Sequence, residues 1–292
     1  MSAGTHIVEP ERDSASSRGT GLNWGLRLAS GFLLAVLALA ALVGGGVWFA
    51  TFVAVVTLAG LREWHRMVAD GRYAIYLAIG GLGLVAALAA PFAVPSLPAV
   101  VPFLILAGAA LVDLAVSAAG GGRSLWQAAG PLYLGIPGAV LLDLRANSGR
   151  GLWLVLVLFA AVWAADTGAL VSGKLIGGPK LAPVLSPNKT WAGFIGGTAL
   201  AALAAAFVVS VLGGDPGRGA AVGVVLALAA HCGDLFESWV KRRVGRKDSG
   251  HLIPGHGGVL DRIDSILFAV PVCAAFVYLF GAHSILGLGA QP

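Results

Sequence analysis

Charge is what this sequence has least of. Only 11% of its 292 residues are Asp, Glu, Lys or Arg, against roughly 25% in soluble domains. That density cannot cover a water-facing surface, so a soluble enzyme is excluded and most of the chain is expected in lipid. Cysteine is nearly missing as well. Cys232 and Cys273 are the only two, and both lie in apolar runs. They support neither a disulfide framework nor a cysteine-based metal site, and read as small buried hydrophobic residues. Residues 1–22 lack the apolar core of a signal peptide and are rich in Ser and Gly; they read as a disordered cytoplasmic tail. No internal repeat or pair of interrupted helices is seen, which argues against a transporter built on inverted repeats.

What the sequence has in abundance is apolar runs. Hydrophobic residues make up 58% of the chain and the mean hydropathy is +0.87. A spanning helix needs about 20 apolar residues. Spans are expected near Leu28–Leu42, Val47–Leu61, Tyr73–Ala90, Ala99–Ala118, Leu125–Leu142, Leu152–Val171, Trp191–Leu212, Ala220–Phe236 and Ile263–Leu286. The first two are separated only by Gly44-Gly45-Gly46. Fused, they would be too long for a bilayer, and a glycine triplet favours a turn. With nine spans and a cytoplasmic N-terminus, all but three (Arg145, Arg150 and Arg218) of the 19 lysines and arginines fall on the cytoplasmic side, as the positive-inside rule requires. The expected fold is an all-α polytopic membrane helix bundle of about nine transmembrane helices. Its expected parts are the tail 1–22, N-terminal helices over 23–150, and catalytic helices with cytoplasmic polar loops over 151–292. Small residues throughout spans five to eight favour close helix packing.

One stretch breaks the apolar pattern. From Ser238 to Ser265 the chain reads SWVKRRVGRKDSGHLIPGHGGVLDRIDS. Such a concentration of polar groups between two hydrophobic segments is costly unless it does chemistry at the membrane surface. Just before it, Asp234 ends a span, where a carboxylate should face a cavity or a cation. Glu237 reads as a helix-end residue reaching interface water. Asp261 and Asp264, three apart at the start of the last span, share one face. Acidic residues also suit a helix N-terminus electrostatically, but capping alone does not require two aspartates with Arg262 and an upstream Gly-His-Gly-Gly. Hard oxygen ligands of this kind suit Mg²⁺, which takes one or two carboxylates plus substrate phosphates. The basic run Lys241, Arg242, Arg243, Arg246 and Lys247 has two blander readings, a topology signal or a patch for anionic lipid. Its interleaving with Asp248 and the later aspartates favours a metal-chelated polyphosphate. Pro254-Gly255-His256-Gly257-Gly258 supplies a turn with backbone N–H groups able to approach an anion. His256 suits positioning better than proton transfer. His231 and His251 read equally as structural or functional.

A second polar loop, KLIGGPKLAPVLSPNKTW, precedes span seven. Ser186-Pro-Asn188-Lys189-Thr190 reads as a helix start with a lysine that reaches a phosphate. The glycine spacing of a Walker A loop is absent. Asp166, in WAADTGA, precedes this loop and can line the same cavity. Asp113 has no polar company in the sequence.

Taken together, Ser238-Trp-Val-Lys241-Arg242, Lys247-Asp248-Ser-Gly250 and Leu252-Ile253-Pro254-Gly255-His256-Gly257-Gly258-Val-Leu-Asp261-Arg262-Ile-Asp264 resemble the signature of the phosphatidate cytidylyltransferase (CDP-diglyceride synthetase) family. The stretch AADTGALVSGK…LAPVLSPNKTWAG resembles the family's other characteristic segment, except that Ala192 stands where Glu is expected after the tryptophan. The departure removes any acid role from position 192, and an introduced Glu there should be tolerated. The resemblance covers residues 161–286. It implies that CTP and phosphatidate react to give CDP-diacylglycerol and pyrophosphate with Mg²⁺, a second cation being left open. By resemblance Asp234 and Asp261 hold the metal, with Asp264 or Asp248 beside them or on a second cation. Lys241, Arg242, Lys247 and Arg262 neutralise phosphates, and His256 positions them. Ser186, Asn188, Lys189, Asp166, Gly257 and Gly258 contact the nucleotide. The implied setting is a multi-pass protein of the inner membrane with a cytoplasmic active site, embedded in membrane lipid, with no nucleic-acid partner and with a homodimer left open. The alternatives weighed are a CTP-dependent polyprenol or phytol kinase, a CDP-alcohol phosphotransferase, whose aspartate motif is absent, and a transporter.

Overall fold

The computed structural model describes residues 18–69, 71–120, 124–146, 149–250, 252–253, 257–282 and 286. Nine long helices are found among them, and eight are long and apolar enough to cross a membrane. The first, α1 (Arg18–Gly44), contributes a shorter apolar segment, Ala29–Gly44. Large apolar side chains such as Phe32, Leu82, Leu203 and Phe207 point outward, as expected of a surface that meets acyl chains rather than water. The chain is a multi-pass helical membrane protein.

The glycine triplet does break the first two spans. Helix α1 ends at Gly44, and α2 (Gly46–Val68) follows after Gly45, whose φ is 60°. Arg145 lies against Gly45 and donates from Nε to the Leu42 carbonyl at 2.9 Å. A guanidinium therefore closes the C-terminal end of α1 where its last carbonyls lack partners.

Helices α3 (Tyr73–Ala93), α4 (Val101–Ala119) and α5 (Ser124–Ala146) complete the first part. The second comprises α6 (Gly151–Leu175), a hairpin, α7 (Trp191–Val211), α8 (Pro216–Arg243) and α9 (Leu260–Phe280). The hairpin was not foreseen: residues 186–190 are a strand rather than a helix start. β1 (Lys180–Ala182) pairs antiparallel with β2 (Ser186–Thr190), with Lys180 opposite Thr190 and Ala182 opposite Ser186. Of residues 186–190, Thr190 alone caps a helix, its hydroxyl accepting from the Gly193 N–H at 3.1 Å.

Several boundaries move. Helix α8 runs on to Arg243, so Lys241, Arg242 and Arg243 ride on its last turn instead of lying in a loop. Cations are favourable there against the helix dipole. Helix α9 occupies Leu260–Phe280. Residues 18–22, expected in the disordered tail, are helical; the rest of the tail lies outside the described residues. Cys232 is exposed rather than buried, whereas Cys273 is buried.

Candidate active site

The second part is held together by glycine and alanine. A Cβ on Gly197 would stand 2.6 Å from the Ala165 carbonyl, and one on Gly223 would stand 2.5 Å from that of Ala201. Backbones of α6 and α7, and of α7 and α8, meet where only hydrogen atoms fit between them, as small residues allow in membranes. This close packing brings the ends of α6, α7, α8 and α9 to one place. Arg242, at the end of α8, donates to the Leu185 carbonyl in the hairpin turn at 3.3 Å. The two polar segments therefore share one end of the bundle.

Between them lies a cavity of about 720 Å³. Asp166 of α6, Asn188 and Lys189 of β2, Asp234 of α8, and Asp261, Arg262 and Asp264 of α9 line it. Four carboxylates from three helices thus face one space. Two of them have lysine partners. Lys189 Nζ stands 2.6 Å from Asp234 Oδ2. Lys241 Nζ stands 2.7 Å from Asp261 Oδ1 and 3.3 Å from Glu237 Oε2. The remaining two meet at Ser265, whose hydroxyl donates to Asp166 at 3.3 Å and whose backbone N–H donates to Asp264 at 2.7 Å. Asp261 also accepts from the Gly258 N–H at 3.0 Å.

Glu237 does not reach water. Its side chain is fully buried, one helical turn before Lys241 and ion-paired with it. The unseen partner explains the difference: the carboxylate turns inward to share a cation with Asp261, and sequence spacing does not show that α9 lies there. Lys241 accordingly holds two carboxylates.

The other candidate residues are arranged differently. Lys247 and Asp248 are exposed in the segment after α8, and Ser186 sits in β2 opposite Ala182. Gly257 pairs with Ile253 in an isolated bridge. His256, like His251, Pro254 and Gly255, lies outside the described residues. His231 lines the cavity with its ring 4.9 Å from that of Phe194. Ala192 is half-buried in the first turn of α7.

Two residues escaped the sequence reading. Ser265 bridges Asp166 and Asp264, and Glu63, far away on α2, reaches the start of α9. Its Oε2 accepts from the Leu260 N–H at 2.8 Å. The sequence carried little signal for it, since Glu63 falls among Arg62, His65 and Arg66 just past the apolar run of α2. Asp113, too, has company: its carboxylate is 3.8 Å from His65 Nε2, and both side chains are fully buried.

The donor set fits a hard divalent cation in one respect and limits it in another. Carboxylate oxygens outnumber the ammonium groups paired to them at the cavity wall, which suits Mg²⁺. Among the described residues, however, no three His, Cys, Asp or Glu side chains converge on one ion position. The residues therefore match a metal held by one or two carboxylates, with the rest of its coordination supplied by phosphate oxygens.

A bundle of spanning helices with a charged cavity at one end defines a multi-pass membrane protein with a polar site at the end of an apolar bundle. The chain belongs to the cytidylyltransferase family, which it matches over residues 25–280. It is 40% identical over 239 residues to the phosphatidate cytidylyltransferase of Brucella suis biovar 1 (strain 1330), covering 82% of this chain and 86% of that protein. It is 48% identical over 138 residues to the phosphatidate cytidylyltransferase of Haemophilus influenzae, covering 44% of this chain and 47% of that protein.

Proposed function

We propose that this chain is a phosphatidate cytidylyltransferase that makes CDP-diacylglycerol and pyrophosphate from CTP and phosphatidate. The observation that carries the reading is the convergence of Lys189, Asp234, Asp261, Arg262 and Asp264 on one cavity at the end of an apolar bundle. A lipid substrate and a triphosphate need that combination: acyl chains remain in the bilayer while the headgroup meets a charged pocket.

In the proposed reaction an oxygen of the phosphatidate phosphate attacks the α-phosphorus of CTP. One phosphorus–oxygen bond forms there as the bond to the β-phosphate oxygen breaks, and pyrophosphate leaves with the electron pair. The attacking phosphate is already ionised, so no side chain needs to remove a proton. Catalysis then comes from positioning and charge neutralisation. Asp234 and Asp261 would hold Mg²⁺, which when bound neutralises the triphosphate, with Asp264 beside them or on a second cation. Lys189 and Arg262 face the phosphates, with Asn188 and Asp166 on the nucleotide side. Lys241 sets Asp261 and Glu237. Arg242, Lys247, Asp248, Ser186, Gly257 and Gly258 do not line the cavity; their part would be to meet the phosphates and the nucleotide from the segments around it. The distribution of Lys and Arg supports a cytoplasmic mouth and an inner-membrane location, and the lipid-facing outer helices permit a homodimer.

The test is label transfer. Purified enzyme in phosphatidate-containing micelles with Mg²⁺ should move label from α-labelled CTP into lipid and leave γ-label in pyrophosphate. Transfer of γ-label to lipid would instead identify a CTP-dependent kinase and overturn the proposal.

A further inference from the structure

Glu63 is buried where a charge should be exposed. It lies near the C-terminal end of α2, between Arg62 and Arg66, and yet is only 2% exposed, and 197 residues separate it from its main partner, the Leu260 N–H. A buried carboxylate is kept only where it satisfies something that nothing closer can.

What it satisfies is the entry into α9. That helix starts after Val259 with no side-chain cap of its own, and an uncapped first turn leaves backbone N–H groups without partners. Gly258 N–H finds Asp261, and Leu260 N–H finds Glu63. The Ser249 hydroxyl lies 3.5 Å from the same Oε2. A negative charge at this position also suits the positive end of the α9 dipole.

The chain around the carboxylate is shaped to admit it. A Cβ on Gly250 would meet Oε1 of Glu63 and stand 2.7 Å from its Cδ and 2.9 Å from its Cγ; these are its three nearest atoms. A Cβ on Gly258 would meet the Ser249 hydroxyl first and would stand 2.6 Å from Oε2. Neither glycine is needed for a positive φ; Gly250 is explained by the room the carboxylate takes, and Gly258 by the Ser249 hydroxyl and the carboxylate together. The mount is rigid as well. The next residue, Trp64, is fully buried, and its indole N–H donates to the Trp126 carbonyl at 2.7 Å.

We propose that Glu63 is a positioning residue: carried on α2, it serves as the long-range cap of α9 and fixes where Asp261 and Asp264 enter the cavity. It does not line the cavity, so it acts through the backbone at 258–260. Its catalytic consequence rests on the reading above, in which those aspartates serve nucleotidyl transfer; the anchoring itself does not.

The experiment is a double-mutant cycle in the full-length enzyme in detergent, with two readouts. The first is hydrogen exchange of the 249–265 segment without nucleotide or metal. Glu63→Ala should speed exchange there while other helices keep their protection. The second is kinetics of monodisperse enzyme. Glu63→Ala should lower kcat about 10- to 100-fold, the range for losing a residue that orients a site from behind, and should raise the Mg²⁺ concentration needed for half-activity. Glu63→Gln, which keeps an acceptor for Leu260, should recover much of the loss. Gly250→Ala should also lower kcat, because its methyl displaces the carboxylate. Once the carboxylate is gone that methyl has space, so Glu63→Ala/Gly250→Ala should be no slower than Glu63→Ala alone.

Additive losses, or unchanged exchange at 249–265 in Glu63→Ala, would overturn the anchor. A loss confined to the folded fraction, with kcat and Mg²⁺ dependence intact, would overturn the positioning role. If exchange responds as expected but label from α-labelled CTP never enters lipid in wild-type enzyme, the anchor stands and the proposed function falls.

Discussion

The two parts of this bundle are packed by different means. In α6 to α9, glycine and alanine bring backbones together, as at Gly197 against Ala165 and Gly223 against Ala201. In α1 to α5, large side chains fill the space, with Trp64, Leu84, Leu106 and Leu134 fully buried. Aromatic rings join the two. Trp64 is 5.0 Å from Tyr133, which is 5.4 Å from Phe236, which is 5.3 Å from Phe268. Backbone contact gives short, stiff distances between helix ends, and that is where charged groups must converge. Side-chain packing tolerates adjustment and suits the supporting part. The polar groups divide likewise. Asp166, Asp234, Asp261 and Asp264 of α6 to α9 face a cavity, whereas His65 and Asp113 are sealed inside the first part.

Asp261→Asn should separate chemistry from packing most sharply. It keeps the shape but weakens the hold on Lys241 and on cations in the cavity. Turnover should fall by about 10²- to 10³-fold, as when one preorganised electrostatic group is lost, with the size-exclusion profile unchanged. Near wild-type CDP-diacylglycerol formation would remove Asp261 from the machinery.

Gly197→Leu attacks the packing itself. The added side chain must part α6 from α7, and overpacking of this kind costs about 1–3 kcal/mol. The thermal midpoint in detergent should drop, and activity with it. The same enlargement at Gly108 in the first part, where a Cβ would meet nothing within 4 Å, should leave both unchanged. Equal effects at the two sites would erase the contrast drawn here.

The His65–Asp113 pair should matter for stability alone. A double-mutant cycle with His65→Ala and Asp113→Asn is expected to show coupling of about 0.6 kcal/mol, typical of polar pairs between membrane helices, with kcat of the folded enzyme unchanged. A large kcat effect would extend the working part of the molecule into α2 and α4. The smallest effect is expected from Ala192→Glu. Position 192 is half-buried beside the cavity mouth, and an added carboxylate there should leave activity near wild type. Loss of folded protein would show that the first turn of α7 has no room for it.

Much of this was legible in the residues. Apolar runs announced the helices, because a bilayer demands spans of nearly fixed length, and the glycine triplet announced the break at Gly45. Asp234, Asp261 and Asp264 stood out because carboxylates at membrane depth need a reason. The hairpin at 180–190 was hidden, since its turn, Pro183-Val184-Leu185, carries no glycine and its short strands no alternating pattern. The end of α8 was misplaced for a similar reason. Charged residues look like loop, yet Lys241 continues the helix because Asp261 and Glu237 wait for it there.

By itself, then, the order of residues determined that this chain spans a membrane many times and which polar groups it could not afford to waste. Those are local matters, settled by the length of each run and the cost of each charge. Only the folded bundle decided that Lys189 meets Asp234, that Lys241 joins Glu237 to Asp261, and that Glu63 ends beside Leu260. Apart from Lys241 with Glu237, one helical turn apart, these pairings join residues 20 to 197 positions apart, and they exist only because helix packing brings distant segments to one point.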